Sequence, residues 1–207
     1  MNLKSIRAVA FDCDGVLFDS SQANTAYYNH ILERFALPPL NGEQFTYAHM
    51  HTVDETLCFL IDNPQMLEAA QAYRRQLSYL PYIRHMVIEP HLRSLLDLLK
   101  PTYKTAIATN RTDTMGRVLE EHGLQGHFDL VVTASDVKYP KPHPEQLLMV
   151  LARFAIRPSE LVYIGDSLLD ALAAQGARVP FVAYGNADLD AHAHIESLQQ
   201  LSDLLAF

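Results

Sequence analysis

At 207 residues the chain suits one core with a modest insertion, and 49% hydrophobic against 19% charged residues exclude a disordered chain. A net charge of −8, with no Lys/Arg cluster, excludes nucleic acid and anionic membrane as expected partners. No apolar run approaches a membrane span, no secretory leader precedes the first strand, and two cysteines, Cys13 and Cys58, suit a reducing cytoplasm.

The first predicted element is a buried strand over residues 8–11, a short wholly apolar run. Residues 20–88 then carry helical periodicity and no convincing strand, with helices predicted at 23–35, 53–61 and 64–80. Strands at 105–108, 130–132, 161–164 and 181–183 alternate with helices at 92–99, 114–122, 144–154 and 168–175. Asp113 is the expected cap of the helix at 114, and Gly176 the stop of the one at 168. His192-Ala193-His194 reads as a polar loop before an amphipathic helix at 195–205. This alternation predicts a doubly wound α/β fold around a mainly parallel five-stranded sheet, with residues 1–19 and 89–207 as the core and 20–88 as a helical insertion.

The first strand ends in Asp12-Cys13-Asp14-Gly15. Two carboxylates at i, i+2 beside a turn glycine repel each other and are costly to bury without a cation, so a hard divalent metal, Mg2+, is expected there. Asp-x-Asp-Gly also occurs in turns and calcium loops, but the further acidic ligands and terminal Glu of a calcium loop are missing. Cys13, between two acids, should keep its proton and serve as a packing residue.

Three more strand ends carry polar residues that a packed core would not ask for. They are Thr109-Asn110-Arg111, the loop Lys138-Tyr139-Pro140-Lys141-Pro142-His143-Pro144, and Gly165-Asp166-Ser167-Leu168-Leu169-Asp170. In open α/β sheets ligands bind outside the carboxyl ends of the strands, so all four sets should meet in one crevice. Thr109 and Asn110 offer groups suited to phosphate oxygens, and Lys141 a compact cation in a stiff loop. Asp166 and Asp170 lie one helical turn apart. Singly, each set has a plainer reading as a helix cap or a surface charge.

In this order the motifs resemble those of the haloacid dehalogenase-like superfamily, and most closely its phosphoglycolate-phosphatase-like branch. Asp12-x-Asp14-Gly15-Val16, Thr109-Asn110, Lys141-Pro142-x-Pro144 and Gly165-Asp166-Ser167-x-x-Asp170 match its four motifs, over essentially the whole chain. The resemblance implies a Rossmann-like core with the insertion as a helical cap. It implies a phosphatase in which Asp12 is the nucleophile that becomes an aspartyl-phosphate and Asp14 the general acid, then base. Mg2+ would be held by Asp12, Asp166 and the Asp14 main-chain carbonyl, the phosphoryl oxygens by Thr109, Asn110 and Lys141, and Asp170 would orient a metal-bound water or Lys141. One departure is Glu89-Pro90, where relatives often carry Pro-Gly.

The substrate expected is a small phosphorylated metabolite, and the protein a monomer or homodimer. All five lysines, Lys4, Lys100, Lys104, Lys138 and Lys141, fall outside the insertion, which counts against relatives that need a cap lysine, phosphonate-cleaving and sugar-phosphate mutase types. Residues 47–52 are read either as a turn facing the substrate, with His49 and His51 as its contacts, or as a surface connection between cap helices. The alternatives are a phosphomutase, a hydrolytic dehalogenase and a non-enzymatic binding protein. Asp14 counts against the dehalogenase, whose leaving group needs no acid, and the intact motifs against the binding protein.

Overall fold

Ala8, Val9, Ala10 and Phe11 are fully buried and form β1 (Ala8–Phe11), a strand covered on both faces in this computed structural model, which describes residues 5–205. Lys4 thus lies outside the described residues. The chain leaves through β2 (Phe18–Asp19) and returns through β3 (Val87–Ile88), and these two-residue strands pair with each other. Contact clustering divides the chain into two compact units, residues 19–87 and the remainder.

The 19–87 unit contains α1 (Ser21–Arg34), α2 (Gly42–Met50), α3 (Val53–Leu60), α4 (Pro64–Arg74) and α5 (Leu80–Ile83). Its buried centre includes Tyr27, Tyr28, Ile31, Leu57 and Ile61, with the Tyr27 ring edge-on to those of Tyr28, Tyr79 and Tyr82. His30 is held between the hydroxyls of Tyr73 and Tyr82, at 2.9 and 2.8 Å. Two expectations change here. The helix predicted at 64–80 stops at Arg74, and a separate short helix, α5, starts at Leu80 with Pro81 in its first turn, where its missing N–H has no helical partner to lose. Residues 47–50 are the last turn of α2 and not a turn between helices. Asn41 and Gln44 cap that helix reciprocally, while Ala48 is its only buried residue, so no apolar stripe announces it.

The other unit continues with α6 (Leu92–Leu99), β4 (Lys104–Ala108), α7 (Met115–Glu121), β5 (Leu130–Val132), α8 (Glu145–Phe154), β6 (Leu161–Gly165), α9 (Leu168–Ala177), β7 (Phe181–Tyr184), β8 (Ala193–Ile195) and α10 (Leu198–Leu204). Its sheet is parallel throughout, in the order β5-β4-β1-β6-β7-β8. The sheet therefore has six strands where five were predicted. Ala193–Ile195 is the sixth and not a polar loop, with exposed His194 between half-buried Ala193 and buried Ile195, an alternation too short to stand out at a sheet edge. Consequently the last helix starts at Leu198 and not at Ile195. Thr114, not Asp113, occupies the cap position of α7, and α9 runs through Gly176 to end at Arg178, which takes a left-handed φ of +57°.

Glu89 explains its own departure from Pro-Gly. Its buried carboxylate accepts the N–H groups of His91 (2.7 Å) and Leu198 (3.2 Å), and the Glu89 N–H donates to the Leu17 carbonyl (3.0 Å). The segment re-entering the sheet is thereby tied to the loop after β1 and to the start of α10.

Candidate active site

The sheet order reverses at β1, which lies between β4 and β6, and this switch point is where open α/β sheets build ligand sites. Asp12 directly follows β1, Thr109 follows β4, and Asp166 follows β6. Gly15 turns the chain at φ +80°, and a Cβ there would strike the Asp166 carboxylate. Gly165 is similarly confined, since a Cβ would run into Asp170. Both glycines let carboxylates approach where any side chain would hold them apart.

Lys141 is the hub, with 2% of its side-chain surface exposed. Its Nζ lies 2.7 Å from Asp170 Oδ1, 2.8 Å from Asp12 Oδ1 and 3.0 Å from the Tyr163 hydroxyl. The Asp12 contact is a close ion pair between two nearly buried side chains. Burial alone would lower the lysine's pKa, but Asp12 and Asp170 outweigh it and hold the ammonium above its usual range. Burial pushes Asp12 up, Lys141 pulls it down, and Asp170 and Asp14 push it up again, leaving it at about 7. Burial, Asp170 and Asp12 together raise Asp166 to about 8. Asp170 goes the other way, since Lys141 and hydrogen bonds from Ser167 and Tyr163 overcome its burial and lower it.

One oxygen each from Asp12, Asp166 and Asp170 lie within 4.8 Å of one another. Hard oxygen donors crowded this closely, two of them raised first by burial and then by neighbouring carboxylates, fit a divalent cation. Asp170 is the least available of the three. Its oxygens already accept from Lys141, Tyr163 and both the N–H and hydroxyl of Ser167.

Asn110 and Thr109 differ in what they still offer. The Asn110 amide is committed to the main chain of Lys141, accepting its N–H and donating to its carbonyl, both at 3.0 Å. That pair fastens the 138–144 loop to the end of β4. Thr109 Oγ1 accepts the Arg111 N–H (3.2 Å), and buried Gln146 donates to the Thr109 carbonyl (2.7 Å). The Thr109 hydroxyl keeps its own proton to donate.

Two functional neighbours escape sequence reasoning. Arg111 grips Asp14 with both prongs, Nε to Oδ2 and Nη2 to Oδ1, each at 2.7 Å, with both side chains nearly buried. Tyr163 faces inward from the middle of β6, its hydroxyl 2.7 Å from Asp170 Oδ1 and 2.9 Å from the Ala108 carbonyl. The available signals were an arginine directly after Thr109-Asn110 and a lone hydroxyl in an otherwise aliphatic strand. His49 and His51 belong to the helical unit, where His49 stacks on Phe45 and His51 lies flat on Tyr47 at 3.7 Å. Cys13 is buried and its thiol is pushed up, first by burial and then by Asp14, which agrees with a packing role.

Residues 9–184 match the haloacid dehalogenase-like hydrolase family. The chain belongs to that family. A phosphoglycolate phosphatase of Chromobacterium violaceum is 34% identical, with 99% of each chain covered. The pyrophosphatase PpaX of Bacillus velezensis is 30% identical over 99% of this chain and 97% of its own. Among solved structures, a subfamily IA, variant 1 hydrolase of the same superfamily from Geobacter sulfurreducens is 40% identical, covers 97% of both chains and superposes with a TM-score of 0.80. Within the family this chain falls in the phosphoglycolate-phosphatase-like branch, and it is a phosphatase. No helix among the described residues is long and apolar enough to cross a membrane.

Proposed function

We propose that the protein hydrolyses a small phosphorylated metabolite in the cytoplasm, with Mg2+ bound at the strand ends and Asp12 as the nucleophile. The observation that carries this reading is Asp12 itself, which sits at the switch point beside a buried, permanently charged lysine and within a cluster of carboxylate oxygens. Asp12 and Asp166 would hold the metal, joined, as the family resemblance implies, by the Asp14 main-chain carbonyl. When bound, the cation neutralises the charge that would keep an anionic nucleophile from an anionic phosphate.

Asp12 attacks phosphorus through a carboxylate oxygen, forming an acyl-phosphate bond as the ester P–O bond breaks. Asp14 gives a proton to the departing oxygen, and to carry that proton its carboxyl must leave the Arg111 fork, which here holds both oxygens and favours the carboxylate. Water then attacks phosphorus, Asp14 takes that water's proton, and Asp12 is released as a carboxylate. The Thr109 hydroxyl, the Asn110 main-chain N–H and Lys141 would steady the phosphoryl oxygens, while Asp170 holds Lys141. A dehalogenase would have no use for a proton delivered by Asp14.

Turnover of aryl phosphate should require Mg2+ and stop in excess chelator. A panel including phosphoglycolate and pyrophosphate, after the names of the relatives, should single out the metabolite. Persistent activity under chelation would sink the metal assignment. Binding also has a thermal readout. The folded-state pKa values of about 7 and 8 for Asp12 and Asp166 exceed the unfolded value of 3.8, so without metal their favourable contribution is present at low pH and disappears as pH rises through 7–8. Mg2+ at a hundredfold excess over Kd should therefore raise Tm by roughly 5–10 °C at pH 8.5, and by less at pH 6, where protons compete for the same oxygens. An equal rise at both pH values would argue against these ligands.

The helical insertion contains no lysine, which leaves histidine and arginine as its positive side chains, and the same reading assigns recognition of the substrate body to His49 or His51. Replacing both with alanine should lower kcat/KM for the preferred metabolite by about 30-fold or more, while an aryl phosphate loses little. Equal losses on both substrates would assign the pair to stability, and no loss would remove it from recognition.

A further inference from the structure

We infer that Tyr163 is a positioning residue for catalysis, holding the Lys141 ammonium in register with Asp12; this rests on the phosphatase reading. An ammonium has three N–H groups, and Lys141 Nζ has three oxygen neighbours, at 2.7, 2.8 and 3.0 Å, from Asp170, Asp12 and Tyr163. Asp170 and Tyr163 both accept aligned hydrogen bonds from Nζ, and these two contacts hold it in place over Asp12. The side chain's position over Asp12 is thus fixed by groups on β6 and α9, none of which touches a reacting atom.

The Tyr163 hydroxyl suits this task because it is itself fixed. It accepts from Lys141 and has one proton to give, with the Ala108 carbonyl on β4 at 2.9 Å and Asp170 Oδ1 at 2.7 Å as acceptors. The ring is fully buried among the core side chains of the sheet, between strands locked in register with β1. A lysine with four rotatable bonds thereby inherits the rigidity of the sheet. Asn110 does the same for the main chain of Lys141, so the residue is held at both ends.

Without the hydroxyl, one N–H of a buried ammonium loses its acceptor, and Nζ shifts toward the remaining carboxylates. Displacements near 1 Å in such sites cost up to about 10²-fold in rate. Tyr163→Phe removes the hydroxyl and keeps the ring. With aryl phosphate and saturating Mg2+, we expect kcat per folded molecule to fall about 10- to 50-fold while KM changes less than threefold. The fall should be the same for aryl phosphates with good and poor leaving groups, because Lys141 is not placed on the proton delivered by Asp14. Folded fraction is read by circular dichroism on the same sample, at 10 °C if the variant melts at 25 °C. A kcat within twofold of the parent overturns the inference, as does a loss confined to KM. A variant that folds at neither temperature overturns it too, by making the hydroxyl a requirement of the fold. An inactive parent enzyme would instead strike at the phosphatase reading itself.

Discussion

Asp12→Asn should be inactive and yet no less stable than the parent. An amide oxygen is a poor nucleophile, so turnover should drop by roughly four orders of magnitude or more, as removal of an attacking group does elsewhere. Stability should move the other way. In the metal-free protein at pH 8, above the Asp12 value of about 7, the carboxylate is charged, buried and repelled by Asp170 and Asp14. The isosteric amide removes that repulsion while its oxygen can still face Lys141, so Tm at pH 8 without Mg2+ should equal or exceed the parent's. Near-normal turnover would refute the nucleophile assignment. A large fall in Tm would show that the Asp12–Lys141 attraction outweighs the crowding.

Lys141→Met should damage both activity and fold, with a pH signature of its own. Removing the ammonium leaves two buried carboxylates without their counter-charge, and breaking a buried pair in this way costs about 3–5 kcal/mol. Turnover should fall by at least about 10²–10³-fold, the scale for loss of a preorganised charge contact. In the parent, Asp170 has a lowered pKa, so its contribution is present above its unfolded value and vanishes only as pH falls through the depressed one. Without Lys141, burial dominates and Asp170 rises above its unfolded value. Its favourable contribution is then confined to low pH and disappears as pH climbs. The variant's Tm without metal should accordingly drop from pH 5 to pH 8 by more than the parent's, in which Asp12 and Asp166 already lose their favourable contribution over that range. A drop no larger than the parent's would mean Lys141 does not control the protonation of Asp170.

The four polar clusters of the candidate site were legible because each breaks a local rule, with polar residues following largely apolar strands. Their convergence followed from strand alternation alone. What stayed hidden were side-chain partnerships between elements far apart in the chain. Arg111 reads as an ordinary loop cation until β1 and β4 pair and bring it to Asp14. The Asn110 amide looks free for phosphate until the 138–144 loop folds onto it. Elements were missed where they bury little, as with β8 at the sheet edge and α2 with its single buried residue. Caps failed for a related reason. Asp113 has the right chemistry, yet its carboxylate accepts the Thr112 hydroxyl, and Thr114 takes the cap position.

The central place of β1 has a consequence for how the protein is made. Ala8 pairs with Lys104 on one side and Leu161 on the other, so β1 leaves the ribosome before either of its neighbours exists. At synthesis rates of about 5–20 residues per second, its second edge stays open for on the order of ten seconds. Over that interval a wholly apolar strand with unpaired main-chain groups is a natural target for chaperones, and for mispairing with a second nascent chain. Residues 19–87 are contiguous and have their own buried centre, so their packing can begin before β4 exists. The carboxylates of the site meet only once β6 arrives. Asp12 is translated long before Asp166, and the chemistry they share is one of the last features of the molecule to form.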